Sequence, residues 1–383
     1  MTKKNKIMLI TLGCVGFLIG VLIFTFYINF YDKEIMSDTE EHKSTSNKMM
    51  SLMLETKYKS GVYEVSKDSK WPGDGYTFNS ELSSCENGGT LTWNEDKRTV
   101  ALKTRLSDKC YVYFDIYQLT LAEYIKSQYT GTQGENNIYY HDSSLANGAG
   151  DNSYRYAGAS DSVNNYICLG SDATTCPDAN LFRIIGVFGN QTKVIRAKSV
   201  GYQQWHTSAD NTWSSSSLNA YLNGTYLTSL GTIAEKIATT TWKVGGGSGS
   251  NISASVPKTA YKNEVGSSAS TTIIDKKIGL MYVSDYGFAA SPSAWTKILG
   301  DYDGTDANGT SIKTINWMYM GYNEWTISRH SDNTNSAFFV NSTGNVLGSN
   351  VRSDNGVRPS FNLESSVKYV SGSGSMSDPV RVN

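Results

Sequence analysis

The chain has 383 residues, 39% of them hydrophobic and 18% charged, the balance of a folded protein with room for two or three domains. Its 34 Lys and Arg stand against 35 Asp and Glu, a formal net charge of −1, which excludes the global basic field expected of a nucleic-acid binder. Aromatics make up 12%, with 25 Tyr and 8 Trp beside 35 Gly and only 6 Pro, a composition that favours strands and tight turns and predicts a β-rich α+β protein.

Ile7 to Phe30 is a run of 24 residues without a charge, enough to cross a hydrocarbon core of about 30 Å at about 1.5 Å per residue. Lys3, Lys4 and Lys6 precede it and Asp32, Lys33 and Glu34 follow. The positive-inside rule then predicts a signal anchor: residues 1–30 form a cytoplasmic tip and a single transmembrane helix, and the bulk of the chain is extracellular. The alternative is a cleaved signal peptide, but its apolar region is shorter and ends at small residues, unlike this run. Residues 31–57 are polar and Met-bearing with no sustained period, and are expected to be a stalk.

From Tyr58 the pattern changes. "GTLTWNEDKRTVALKTRL" alternates around Leu91, Trp93, Val100 and Leu102 with "NEDK" as its turn, and "CYVYFDIY" supplies a further strand, so residues 58–117 are predicted to be a small β domain. Residues 118–150 read as a helix and linker: Leu119, Ala122, Tyr124 and Ile125 have near-helical spacing, and turn-rich connectors follow. The rest, 151–383, is expected to be one loop-rich mixed domain. In it, "LFRIIGVFGNQTKVIRA" is a hairpin about Gly189 and Asn190, and "TWSSSSLNAYLNGTYLTSL" is a Ser-capped helix with Leu218, Tyr221 and Leu222 on one face and Gly224 at its end. "KVGGGSGSNISASV" reads as a flexible loop, and "KKIGLMYVSDYGFA", "EWTISRH", "SAFFVNSTGNVLG" and "GVRPSFNL" as short strands.

Four cysteines lie beyond the anchor: Cys85, Cys110, Cys168 and Cys176. Four allow three full pairings. Each pair falls inside one expected domain, so Cys85 with Cys110 and Cys168 with Cys176 is the economical expectation for an oxidising exterior. No metal centre is expected of them, because they lack Cys-x-x-Cys or nearby His partners.

The chain carries no nucleophile elbow between a strand and a helix, no phosphate-binding Lys-Ser or Lys-Thr loop, and no two of its His residues, His42, His141, His206 and His330, at helix-turn spacing. No catalytic residue and no cofactor is therefore predicted. Asp301, Asp303 and Asp306 offer hard oxygen ligands that could hold calcium, but Gly304 comes too early for an EF-hand and no Glu closes the loop. Binding features are stronger. Trp317, Tyr319, Tyr322, Trp325 and Phe338 are interleaved with polar residues, a mixture of rigid rings and adaptable amides that suits recognition. Trp317 and Trp325 are expected in the core, leaving Tyr319, Tyr322, Asn323, Arg329, His330, Asp332 and Asn335 as candidate ligand-binding residues.

"TWSSSSLNAYLNGTY", "IGLMYVSDYGFA", "EWTISRH", "GNV" and "GVRPSFNL", in this order across Asn180 to Asn383, resemble an uncharacterised family of membrane-anchored extracellular domains of Firmicutes and gut bacteria. More distantly, a Trp strand, Gly-Asn-Val and a closing Gly-Val-Arg-Pro strand are similar to the C-type-lectin-like fold of formylglycine-generating enzymes and hypervariable binding proteins. That resemblance implies a binding scaffold in which Arg358 anchors the last strand, Pro359 stiffens it, and Phe361 and Leu363 enter the core. The enzymes of that group hold copper with two cysteines in their C-terminal half, and none follows Cys176 here. The expected function is an adhesin-like surface protein that binds a glycan or a host or bacterial surface protein; the alternatives are a cell-wall or glycan hydrolase, whose carboxylates leave no local spacing to read, and a structural envelope component.

Overall fold

A computed structural model describes residues 49–56, 59–66, 71–72, 75–94, 97–103 and 108–383. The expected anchor, Ile7 to Phe30, lies outside them; among the described residues no helix is long and apolar enough to cross a membrane. The chain divides into two units, residues 1–117 and 118–383.

The first unit is a four-stranded sheet in the order Lys59–Val65, Met49–Thr56, Lys109–Ile116, Tyr76–Cys85, with a separate hairpin of Thr90–Asn94 and Thr99–Lys103. The hairpin register is the one its alternation predicts, Leu91 opposite Leu102 and Trp93 opposite Val100. Phe114 is fully buried and collects the edges of Phe78 and Trp93, aromatic packing that replaces a large aliphatic core. Cys85 and Cys110 face each other across neighbouring strands and are disulfide-bonded. One boundary is corrected. The supposed stalk contributes Met49–Thr56, an interior strand that runs parallel to Lys109–Ile116. Its "MMSLMLET" has apolar residues at both parities, so no alternation betrays a strand, and its partner lies far along the chain.

The second unit holds two larger sheets. One follows the path Ile278–Gly279, Ser360–Leu363, Gln191–Arg196, Leu181–Phe188, Tyr166–Cys168, Val380–Val382, Tyr369–Ser371, with Ile138–Tyr140 and Tyr154–Tyr156 attached at Leu181–Phe188. The other runs Tyr202–Gln204, Asp354–Gly356, Glu324–Arg329, Ser336–Val340, Val346–Asn350. Both give side chains to one apolar cluster that includes Phe182, Val194, Trp205, Ile327 and Phe361. The hairpin about Gly189 forms as expected, and Gly189 takes a φ of 65° that only a residue without a Cβ adopts freely. Cys168 and Cys176 are the second disulfide.

Four further expectations are corrected. Residues 118–150 are not a linker: the helix Leu121–Ser127, closed by a capping box of Thr120 and Glu123, buries Leu121, Ala122 and Ile125 in the second unit's own core. Gly224 does not end its helix. The chain continues from Ser217–Tyr221 through a wide turn at Leu222–Tyr226, and the turn lets the Asn223 amide accept from Ile278 N and donate to Ile278 O. In "KKIGLMYVSDYGFA" the strand stops at Gly279 and Val283–Ala289 is helical, because Asp285 caps it by accepting from Tyr282 N at 2.8 Å. The Gly and Ser loop is anchored, not free: Gly247 N donates to Arg329 O and Ser331 N to Gly247 O. Gly246 has a φ of 63°, and a Cβ there would fall 1.9 Å from Arg329 O, so glycine is what lets the loop approach the strand.

"DNGVRPSFNL" spans both sheets: Asp354–Gly356 lies in one and Ser360–Leu363 in the other. It is not the last strand, a place taken by Val380–Val382, but Phe361 and Leu363 are core as expected. Arg358, at the crossing, is 1% exposed and donates from Nε to Glu324 Oε1 at 2.5 Å and from NH2 to Glu324 Oε2 at 2.9 Å and Met318 O at 2.8 Å. Removing one partner of a buried pair strands the other charge, so Glu324→Ala is expected to destabilise the fold by about 3–5 kcal/mol in urea unfolding. A loss under about 1 kcal/mol, the value of a surface pair, would contradict this role for the crossing.

Candidate functional site: a cleft of tyrosine and amide side chains

The candidate binding residues fall into two groups at opposite ends of strand Glu324–Arg329, on the order of 20 Å apart at a strand's rise. At one end, Tyr319 Oη donates to Ser342 O at 2.7 Å and Asn323 Oδ1 accepts from Ser342 N at 2.9 Å. The Tyr322 ring lies over Gly356, where a Cβ would come within 2.7 Å of it. The ring that stands in solvent there is Tyr202, 59% exposed and 6.1 Å from Tyr322, and no local pattern singles it out. At the other end, Arg329 spends its donors on Gly245 O and Asn211 Oδ1, while the buried Asn211 amide donates to the carbonyls of His330, Asn333 and Ser336. The His330 ring stacks on Phe338 with centroids 4.8 Å apart, and its Nδ1 faces the exposed Asp332 carboxylate. Asn335 N donates to Asn333 Oδ1 at 3.3 Å, and Asn335 Oδ1 accepts from Ser336 Oγ at 3.3 Å. These side chains build a turn; they do not converge on one concavity.

Asp301, Asp303 and Asp306 are likewise not gathered. Asp306 Oδ1 accepts from Asn308 N at 2.9 Å and Thr310 N at 2.8 Å, and Asp303 N donates to Asn345, so the segment is a set of Asx-type turns. Among the described residues the one close trio of metal-ligating types is Cys85, Asp108 and Cys110, and its two sulfurs are bonded to each other.

A concavity does occur where the two ends of the second unit meet. A cleft of about 310 Å³ is lined by Tyr124, Gln128, Asn136, Asn137, Ile138, Tyr156, Asn164, Ser373 and Val380. The parallel pairing of Val380–Val382 with Tyr166–Cys168 brings these distant segments together. Helix Leu121–Ser127 presents Tyr124, whose ring stacks on Tyr369 at 3.6 Å and 7° and whose hydroxyl donates to Gly372 O at 3.3 Å. Burial pushes that hydroxyl up to about 12, so it stays a neutral donor. Asn136 and Asn137 sit at φ of 56° and 59°, a left-handed turn that Asn tolerates better than most residues, and Asn136 Nδ2 donates to Gln128 O at 2.8 Å. The lining contains amides, hydroxyls and rings but no Asp, Glu, His, Lys, Arg or Cys. Such a surface can hydrogen-bond and stack; it has no group that exchanges a proton near neutral pH.

The ionisable groups are buried elsewhere. Lys193 Nζ lies 2.5 Å from Asp285 Oδ2, Arg155 NH1 lies 3.6 Å from Asp285 Oδ1, and Arg155 NH2 lies 2.6 Å from Asp151. Asp151 is held down to about 2: burial opposes ionisation, but the Arg155 guanidinium and the Ser153 hydrogen bonds outweigh it. His141 is kept neutral by burial and by Arg155. Glu264 takes Val283 N at 3.0 Å, Ser284 N at 2.8 Å and the Ser328 hydroxyl, yet burial still raises it to about 7. Glu264 and Asp285 are 2% and 3% exposed and line neither this cleft nor a second one of about 260 Å³ around Glu235 and Glu364.

Residues 189–365 match a domain of unknown function, DUF6273, so the expected uncharacterised domain family is found, over a shorter span than Asn180 to Asn383. No curated protein and no solved structure matches the chain. The match begins at the hairpin turn Gly189 and ends just past strand Ser360–Leu363, so it takes in the crossing at Arg358 and leaves out all of the cleft's lining.

Because the folded pKa of Glu264 is raised from 4.5 to about 7, its contribution to stability is fully present below about pH 4.5 and is lost as pH rises through 7. The Ser328 hydroxyl stabilises the ionised form. Ser328→Ala is therefore expected to cost about 1 kcal/mol more at pH 8 than at pH 4.5, measured as the difference in unfolding free energy from the parent chain in urea; an equal cost at both values would contradict a titrating Glu264.

Proposed function

We propose that this is a single-pass bacterial surface protein, anchored by Ile7 to Phe30, whose second unit binds a polar ligand, a glycan or a surface protein, in the cleft between Tyr124 and Asn164. The observation that carries the binding reading is the cleft's lining: four side-chain amides, two tyrosines and a serine around one concavity, with no acid or base among them. Sugars offer hydroxyl pairs that primary amides meet as donor and acceptor at once, and apolar ring faces that lie against tyrosine. A hydrolase would need a pair of carboxylates on the wall of this cavity, and the cleft's lining offers none; Glu235 and Glu364 lie on the wall of the separate cleft of about 260 Å³.

The extracellular placement is supported by the uncharged segment with lysines on its N-terminal side and by two disulfides that persist in an oxidising compartment. The C-type-lectin-like likeness belongs to the same proposal: a loop-rich unit closed by a Gly-Val-Arg-Pro crossing is a scaffold on which surface loops can vary while the core is kept. No cofactor enters this reading.

The test is binding of the detergent-solubilised chain to a glycan array and to a panel of surface proteins. Saturable binding that weakens about tenfold or more in Gln128→Ala and in Asn164→Ala, the loss of one good hydrogen bond each, and that is unchanged in Tyr322→Ala, is the expected result. Binding that fails only in Tyr322→Ala would move the site to the Tyr202 end of the other sheet, and no binding by a folded chain would contradict the proposal.

A further inference from the structure

Lys193 sits in the interior strand Gln191–Arg196, and Asp285 sits in helix Val283–Ala289, far along the chain. Their side chains are 7% and 3% exposed. Among the described residues Asp285 is the one hydrogen-bond partner of the Lys193 nitrogen, at 2.5 Å. Its other directions face rings: Tyr282 at 4.6 Å, Trp242 at 5.4 Å and Phe188 at 5.8 Å. An ion pair of this kind loses its hydration on both sides and recovers it only through good geometry and further hydrogen bonds. Asp285 has such bonds, from Tyr282 N and alongside Arg155, but the ammonium has one oxygen and an aromatic shell. The ring faces attract the cation but offer no lone pair in place of the water it has lost, so the nitrogen is held dry against a single carboxylate oxygen.

We propose that Lys193 and Asp285 condense to an intramolecular isopeptide bond between Nζ and Cγ. A nitrogen 2.5 Å from Oδ2 lies within about 3.7 Å of the carbon that carries that oxygen, since the C–O bond adds only about 1.2 Å, and this approaches a near-attack distance. Burial lowers the Lys193 pKa, with Asp285 opposing it and Arg155 acting in the same direction as burial. In the reaction a proton passes across the hydrogen bond from ammonium to carboxylate. The amine lone pair then attacks Cγ. Tyr282 N–H and the Arg155 guanidinium face the two carboxyl oxygens and stabilise the negative charge of the tetrahedral centre. The C–N bond forms, one C–O bond breaks, and the departing oxygen leaves as water with two protons that began on nitrogen. The ammonium and carboxylate have become an amide and one water, with no oxidant, reductant or activating co-reactant. The bond would join the centre of the larger sheet to the helix packed on it, a covalent brace across the second unit that does not depend on what the cleft binds.

The experiment is the intact mass of the purified full chain, with a tryptic map. The expected chain is lighter than its sequence with both disulfides by one water, Lys193 resists trypsin, and one branched peptide contains both Lys193 and Asp285. Lys193→Arg keeps the positive charge but has no amine to condense, and its mass should be that of the unbridged chain. Asp285→Asn should give the same branched peptide by loss of ammonia. A wild-type chain that unfolds cooperatively, carries both disulfides and shows the full sequence mass would overturn the proposal without recourse to any variant. So would a water loss that persists in Lys193→Arg, which would place the dehydration elsewhere, as at an Asp-Gly step.

Discussion

Arg358 carries a permanent charge into a place that water does not reach, and the second unit is arranged around satisfying it. The residue lies where one extended segment leaves the sheet of Glu324–Arg329 and enters the sheet of Gln191–Arg196. Its guanidinium takes both oxygens of Glu324 and the carbonyl of Met318. A buried guanidinium without its carboxylate costs about 3–5 kcal/mol, a large share of a domain's net stability, so the strand that supplies Glu324, the turn that supplies Met318 and the crossing itself are stable only together. Around the crossing the backbone pairs as well: Val200 N donates to Val357 O, Val357 N to Gly201 O and Arg196 N to Pro359 O. Pro359 has no N–H to leave unpaired at the point where the chain changes sheets.

The same device recurs through the loop-rich regions that regular structure does not hold. Arg183 donates to Asn165, Ser160 and the carbonyl of Val163 while lying between the rings of Tyr166 and Trp317. Four buried indoles act likewise, each reaching a carbonyl on another segment: Trp205 to Thr326, Trp325 to Gln203, Trp317 to Tyr156, Trp242 to Lys276. Trp205 and Trp325 form a reciprocal pair of such bonds between the strands around Tyr202–Gln204 and Glu324–Arg329. The high aromatic content is thus largely structural, a way to bury area and satisfy stray carbonyls at once.

This explains what could and could not be read from the sequence. The hairpins at Leu91 to Leu102 and at Leu181 to Arg196 were legible because alternation and a turn signal are local. The burial of Trp317 and Trp325 followed from residue type, the core places of Phe361 and Leu363 were implied by the resemblance, and the disulfide pairing, one of three the sequence allows, is the economical one. The strand Met49–Thr56 and the ordered Gly and Ser loop were not legible, since each is decided by a partner distant in the chain, Lys109–Ile116 and Arg329; at Val283 the cap of Asp285 on Tyr282 N is local, and Glu264 adds a distant acceptor for Val283 N and Ser284 N. The aromatic and Asn cluster after Trp317 was legible as a cluster, but Ser342 engages Tyr319 and Asn323, and Asn211 and Gly245 engage Arg329. The cleft was hidden for the same reason in reverse. Its residues are scattered through connectors and a C-terminal turn, and only the pairing of Val380–Val382 gathers them.

If the crossing at Arg358 is what couples the two sheets, they should open as one. Amide hydrogen exchange of the native chain and of Glu324→Gln tests this directly. The account predicts that strands Gln191–Arg196 and Ser336–Val340, one in each sheet, lose protection together and by the same factor when the pair is weakened. Loss confined to Ser336–Val340, with Gln191–Arg196 unchanged, would show two independently stable sheets and contradict it.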